Sequence, residues 1–167
     1  MTTLDYDEIS SPIGRIQFAS DATAICWLEF AGIEGRMESL LKKRFGACAF
    51  RRADPHGLKP KLQAYFNGDL HALDDVQVNT GGSAFQRSVW KELREIPVGA
   101  TWTYGQLAAR LGDPNACRAV GHANGQNPVS IIVPCHRVIG AGARLTGYGG
   151  GLERKHWLLV HEGAILA

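Results

Sequence analysis

At the end of the apolar run in "IIVPCHRVIG" (131–140), a thiol, an imidazole and a guanidinium stand in consecutive positions as Cys135, His136 and Arg137. A thiolate attacks where a thiol does not, and an imidazole within reach can take the proton. An imidazole acting as a base also needs a carboxylate on its far nitrogen. From residue 83 onward the carboxylates are Glu92, Glu95, Asp113, Glu153 and Glu162. Of these Glu162 is the most suggestive. "LERKHWLLVHEG" predicts a helix packed through Leu152, Trp157, Leu158 and Leu159 or Val160, with Glu162 near its C-terminal end. The helix dipole disfavours a negative charge there, so a partner must compensate it, and the sequence leaves that partner open.

A lone cysteine is most often a small buried hydrophobe, so the case for Cys135 rests on its surroundings. Pro134 restricts the backbone before it, and "SIIV" supplies a strand-like apolar support. In an extended segment, adjacent side chains face opposite ways. Contact between Cys135 and His136 therefore requires a bridging water or a bent turn.

The elements that would position these groups follow from periodicity. "SSPIGRIQFAS" and "AICWLEFA" read as two strands of a small antiparallel sheet. "IEGRMESLLKKRFG" places Ile33, Met37, Leu40, Leu41 and Phe45 at helical spacing, and a second short helix begins near Pro60. "NTGGSAF" has the composition of a linker, which puts a boundary near Gly82 and predicts two domains, 1–80 and 81–167. Ser83, three residues before Gln86, predicts a capping box that opens a helix with Phe85, Val89, Trp90, Leu93 and Ile96 on its packed face. Tyr104, Leu107, Ala108 and Leu111 form another helix, closed by Gly112. Asp113 and Pro114 then read as the N-cap and first position of a third.

The last two helices, joined by a tight turn, have the arrangement of a helix-turn-helix. On the second, Ala116, Ala119, Val120 and Ala123 form a small apolar face, with Arg118, Gly121 and His122 on the other. A slender helix carrying one arginine suits a minor groove only about 6 Å wide. The fold class expected is α+β: a small N-terminal α/β domain with an antiparallel sheet, then a mostly helical domain with the helix-turn-helix.

The 167 residues, 45% hydrophobic and 20% charged, suit an ordinary globular chain, and no run is long and apolar enough to span a bilayer. The start "MTTLDYDEIS" lacks the features of a signal peptide. Cys26, Cys48, Cys117 and Cys135 lie far apart with no C-x-x-C pair, which argues against a disulfide framework and points to the cytoplasm. The net charge of +2 conceals a basic surplus in residues 83–167 and a slight acidic one before them. That is a mild tilt toward a polyanionic partner.

"PCHRV" (134–138), with "RAVGHANGQNP" before it and "TGYGGGLERKHWLLVHEG" after it, closely resembles the O6-alkylguanine-DNA alkyltransferases, in particular their bacterial constitutive type. The resemblance implies direct repair of alkylated DNA in one step. Cys135 would take the alkyl group from guanine O6, and less readily from thymine O4, acting once after the nucleotide is flipped through the minor groove. It further implies that Arg118 fills the vacated place in the stack and that Tyr104 presses on the neighbouring phosphate, with Gly121 and His122 also facing DNA. Asn127 would support the active-site turn, and His136 would relay the thiol proton through water to Glu162. Val138 and Gly149 would offer backbone N–H groups to the base, the Cys135 carbonyl would accept from its amine, Tyr148 would wall the pocket and Lys155 would lie near it.

Two features depart from the family pattern. His122 stands where many members have a smaller residue, and Cys117 adds a thiol beside Arg118. Cys26, Cys48, His56 and His71 do not reproduce the zinc site of some relatives, so no metal and no cofactor is expected. The partner implied is double-stranded DNA containing O6-alkylguanine, bound by a protein that is monomeric when free, with cooperativity on DNA left open. Rival readings are a damage-binding relative, which would lack the cysteine, a transcription regulator and a cysteine hydrolase.

Overall fold

The computed structural model describes residues 1–32 and 36–167. The chain divides into two compact units, Met1–Gly81 and Gly82–Ala167. The first is built on a four-stranded sheet of β1 (Thr2–Ser11), β2 (Gly14–Ser20), β3 (Ile25–Phe30) and β4 (Cys48–Arg52), in the order β3-β2-β1-β4. β1 and β2 form a hairpin in which Ser11 lies opposite Gly14. Gly14, at φ +112°, takes a backbone conformation that only glycine adopts without strain. The expected antiparallel pairing holds for β2–β3; β1 also pairs antiparallel with β2, while β4 runs parallel to β1, from Thr2 opposite Cys48 to Tyr6 opposite Arg52.

Neither β1 nor β4 was anticipated, for the same reason: β1 is rich in acidic residues and β4 ends in two arginines, poor β-formers by local preference. Their charges are satisfied across the pair, Arg51 Nε donating to Asp5 Oδ1 at 2.8 Å and Arg52 Nε to Asp7 Oδ1 at 3.1 Å. Such cross-strand partners are invisible to a local pattern.

One cluster of the core joins Leu4, Ala19, Cys26 and Trp27 to Met37 and Leu41 of helix α1 (Arg36–Phe45), with Leu40 and Phe45 at its margin. Ile33, expected to head that helix, lies outside the described residues. Helix α2 (Leu58–Phe66) packs against β1 and buries Leu58, Leu62 and Tyr65.

In the second unit, helix α3 (Ala84–Leu93) opens on the predicted capping box: Ser83 Oγ accepts from Gln86 N at 3.1 Å, and Gln86 Oε1 from Ser83 N at 2.8 Å. It buries Val89, Trp90 and Leu93, and Ile96 is buried just beyond it. Phe85, expected on that face, is 41% exposed: it stands in the first turn, about 85° around the helix from the centre of the buried arc. A second capping box, Thr103 with Gln106, starts α4 (Tyr104–Arg110) immediately after β5 (Trp102–Thr103).

Residues 113–116 form a turn rather than the start of a helix. Asp113 Oδ1 accepts from Asn115 N at 3.1 Å and Asp113 O from Ala116 N at 3.0 Å, so α5 (Cys117–Gly125) begins later than Pro114. The Asp side chain spends itself on a local turn instead of capping a helix. α5 packs on both α3 and α4 through Val120, Ala123 and Asn124, and this turns Ala119 outward to join Arg118 and His122 on the exposed side. The unit is completed by β6 (Val138–Ile139), parallel to β5, and α6 (Leu152–His161). On α6, Leu152 is exposed and Trp157 half-buried, stacked on His161 with ring centroids 4.6 Å apart. The packing face is carried by the expected Leu158 and Leu159 together with Lys155.

Candidate active site

The segment leading to Cys135 is a chain of tight turns, not the strand-like support expected of it. Val133 N donates to Val129 O at 3.0 Å, Ile132 N to Ser130 O and Cys135 N to Val133 O, both at 2.8 Å. Ile131 sits at φ +71°, a conformation rare for any β-branched residue and held here by burial on all sides. Asn127, only 3% exposed, staples the turn. Its Nδ2 donates to Val133 O at 2.8 Å and its Oδ1 accepts from Val129 N at 2.9 Å.

Cys135–Arg137 is a single 3-10 turn, closed by Val138 N–H donating to the Cys135 carbonyl. The two backbone groups expected to meet a base thus bond one another here, because the turn needs a cap. The segment is thus bent rather than extended at these two residues. Cys135 keeps 6% exposure while His136 has none, so the turn shows solvent its cysteine rather than its imidazole.

Beneath the turn lies a buried ionic cluster. His136 Nε2 is 2.9 Å from Glu162 Oε2. Arg137 grips the same carboxylate with both arms, Nε to Oε1 at 2.8 Å and Nη2 to Oε2 at 3.0 Å, and donates from Nη1 to Ile96 O at 2.8 Å. Such a bidentate pair is geometrically specific as well as strong. Here is the partner that a carboxylate at the end of α6 required. Burial by itself would raise the pKa of Glu162, but the hydrogen bonds of His136 and Arg137, the Arg137 charge and, at the acid pH where the carboxyl titrates, the protonated His136 outweigh it and hold the carboxyl well below its usual range.

Burial likewise pushes His136 below its ordinary pKa, against the pull of Glu162, so the imidazole is neutral near pH 7. A carboxylate only accepts, so the proton of a neutral His136 sits on Nε2. That leaves Nδ1, buried without a hydrogen-bond partner among the described residues, as a lone-pair acceptor on the other side of the ring.

Lys155 is buried as well, and its Nζ donates to Val138 O at 2.5 Å and Thr146 O at 2.7 Å. Burial lowers its pKa to about 8, with the Cys135 sulfur pulling the other way, which places the ammonium within electrostatic reach of that sulfur.

The pairing of β5 with β6, Thr103 opposite Ile139, sets the start of α4 beside the Cys135 turn. Tyr104 Oη lies 3.1 Å from Thr146 Oγ1. The Tyr104 ring also packs by Gly121, where an added Cβ would meet it at 3.6 Å. Gly121 therefore faces Tyr104, whereas Arg118 and His122 are exposed on the same helix. Tyr148 is half-buried and Gly149 exposed in the segment after Thr146. Cys117, also exposed, lies with its Sγ 3.5 Å from Pro114 O. Sequence reasoning missed Thr146, which carries no catalytic signature, and the Ile96 carbonyl, which has no side-chain signal at all.

Residues 84–164 match the family model described as 6-O-methylguanine DNA methyltransferase, DNA binding domain. The methylated-DNA–protein-cysteine methyltransferase of Salmonella typhimurium is 47% identical over 173 residues, 99% of each chain. That of Mycobacterium bovis is 55% identical over 163 residues, 95% of this chain and 92% of its own. The crystal structure of Mycobacterium tuberculosis OGT in complex with DNA superposes with a TM-score of 0.82 at 41% identity, covering 96% of this chain and 93% of that one. End-to-end similarity of this degree, together with a cysteine set over a buried His–Glu–Arg cluster, places the chain in the methylated-DNA–protein-cysteine methyltransferase family.

Proposed function

We propose that this protein repairs alkylated duplex DNA directly, the Cys135 sulfur taking the alkyl group from O6 of guanine, and less readily from O4 of thymine, in one in-line displacement. The bond between oxygen and the alkyl carbon breaks as the sulfur–carbon bond forms, and the repaired base leaves with the bonding electrons and takes up a proton. A thioether has no ready leaving group, so each molecule acts once. The observation that carries the reading is the hydrogen-bonded pair of His136 and Glu162 at 2.9 Å, adjoining the one cysteine set in a bent turn. His136 Nδ1 accepts the thiol proton through a bridging water, and Glu162, kept ionised by Arg137, stabilises the imidazolium that results.

The O6 atom lies within the base stack, so the nucleotide must be flipped out at a cost of roughly a few kcal/mol. Arg118, on the exposed side of α5 with Ala119 and His122, enters the minor groove and fills the gap. The outward position of the small Ala119 keeps that side of the helix slender. Tyr104 presses on the phosphate beside the flipped nucleotide, and Gly121 lets the phenol lie close to the helix. Tyr148 walls the base pocket, Gly149 offers its N–H, Val138 and Asn127 hold the reactive turn in shape, and Lys155 steadies the sulfur's charge.

The test is to incubate the protein with an excess of duplex oligonucleotide carrying one O6-methylguanine and to follow both products by mass. One methyl group on the peptide containing Cys135, in a stoichiometric burst with no further turnover, is the expected result. Steady turnover, or methylation elsewhere, would discard the reading.

A further inference from the structure

A continuous set of hydrogen bonds runs from the Cys135 turn to Tyr104, whose ring packs on α5, and it passes through a residue with no part in the chemistry described so far. The Cys135 carbonyl accepts from Val138 N–H. Val138 O accepts from Lys155 Nζ at 2.5 Å, and the same ammonium donates to Thr146 O at 2.7 Å. Thr146 Oγ1 lies 3.1 Å from Tyr104 Oη, and the Tyr104 ring packs against the Gly121 position of α5. The Thr146 methyl group occupies the space beside Gly140, where an added Cβ would come within 3.0 Å of Cγ2. Main chain, hydroxyl and methyl of Thr146 are thus each engaged, the first toward the reactive turn and the second toward Tyr104.

We infer that Thr146 is a positioning residue for DNA engagement: its hydroxyl donates to Tyr104 Oη and so aims the tyrosine's own O–H at the nucleic acid. The chemistry is that of paired hydroxyls. Each has one proton and can accept as well as donate, so the proton of one of the two must point away from the other. A phosphate oxygen accepts only. When it approaches Tyr104, the phenol must donate outward, and Thr146 is the neighbour that donates to the phenol oxygen in return. Because Thr146 is also tied through Lys155 to Val138, the phenol is held at a set place relative to the sulfur. Valine in place of threonine keeps the branched shape and the packing on Gly140 but removes this donor.

The inference rests on the repair reading above, and the experiment separates the two. Single-turnover rates are measured for wild type, Thr146→Val, Thr146→Ser, Tyr104→Phe and the Thr146→Val/Tyr104→Phe pair, with O6-methylguanine in duplex DNA and as the free base. For Thr146→Val we expect about a tenfold loss with duplex DNA, carried mainly by a higher half-saturating DNA concentration, the equivalent of about 1.4 kcal/mol. With the free base the change should stay within about twofold, and Thr146→Ser should recover most of the duplex rate. The double variant should be no worse than Tyr104→Phe alone, since both remove the same interaction.

Equal losses with both substrates, additive losses in the double variant, or a Thr146→Val protein that reacts like wild type would overturn the inference while leaving the repair reading intact. A wild type that transfers no methyl group from either substrate would overturn both.

Discussion

Cys26 and Cys135 are both buried thiols, and their surroundings could hardly differ more. Cys26 lies in the first unit among Leu4, Ala19, Trp27, Met37 and Leu41, and its Sγ donates to Ala19 O at 3.5 Å. Burial pushes its pKa up to about 11, despite the opposing pull of Arg44. It is a small hydrophobe in a hydrocarbon setting. Cys135 stands on the solvent side of a bent turn, over His136, Arg137, Lys155 and Glu162, all buried. Burial alone therefore does not tell the two sulfurs apart. What differs is whether the surrounding volume holds dipoles and charges that favour the thiolate or packed carbon that disfavours it. The buried ionic groups of the second unit are expensive to desolvate, and their concentration around one cysteine is the mark of a site rather than of a scaffold.

The contrast can be broken most sharply at Glu162. Glu162→Gln should slow methyl transfer to Cys135 by about a hundredfold, the lower range of general acid–base effects, since His136 loses the charge that stabilises its protonated form. It should also cost about 3 kcal/mol of stability by leaving Arg137 uncompensated. Quenched-flow transfer rates and urea unfolding would show both effects, and an unchanged rate–pH profile would remove Glu162 from the relay.

Arg118→Ala tests the exposed side of the same unit. Repair in duplex DNA should fall by about tenfold, or 1.4 kcal/mol, while reaction with the free base stays nearly normal. Equal loss in both assays would mean that Arg118 shapes the site instead of aiding flipping.

A third difference is in the response to acid. The folded pKa of His136 lies below its usual 6.5, so as the pH drops past 6.5 the unfolded chain binds a proton that the folded chain refuses. Stability is therefore full above that pH and falls on acidification, by up to about 1.4 kcal/mol per pH unit for the one proton. Glu162, depressed from 4.5, extends the loss below that value. Urea midpoints measured between pH 7.5 and 5 should decline for the wild type and flatten in His136→Gln. A decline that survives this substitution would locate the sensitive group elsewhere.

The smallest effect is expected at the first cysteine. Cys26→Ala should leave the transfer rate unchanged within about twofold and lower stability by about 1 kcal/mol. A pronounced loss of repair would show that the first unit's core reaches the chemistry.

Some elements were legible because their determinants are local. Ser83 and Gln86 announce a helix start three residues apart, Gly112 ends α4 at φ +88°, and Pro134-Cys135-His136-Arg137 marks the candidate site. Others were not, because their determinants lie far along the chain. β1 and β4 are held by charge pairs some 46 residues apart. The tight turns over 129–135 depend on Asn127 and on complete burial, whereas the apolar run alone resembles a strand.

By itself the sequence determined which groups this protein has for chemistry and roughly where its helices begin, because caps, breakers and side-chain types act over a few residues. Only the tertiary structure decided that Glu162 rather than another carboxylate faces His136, that Arg137 holds it ionised, and that Lys155 and Thr146 connect the Cys135 turn to Tyr104. Those choices depend on which distant segments are brought together out of water, where a charge survives only beside its partner.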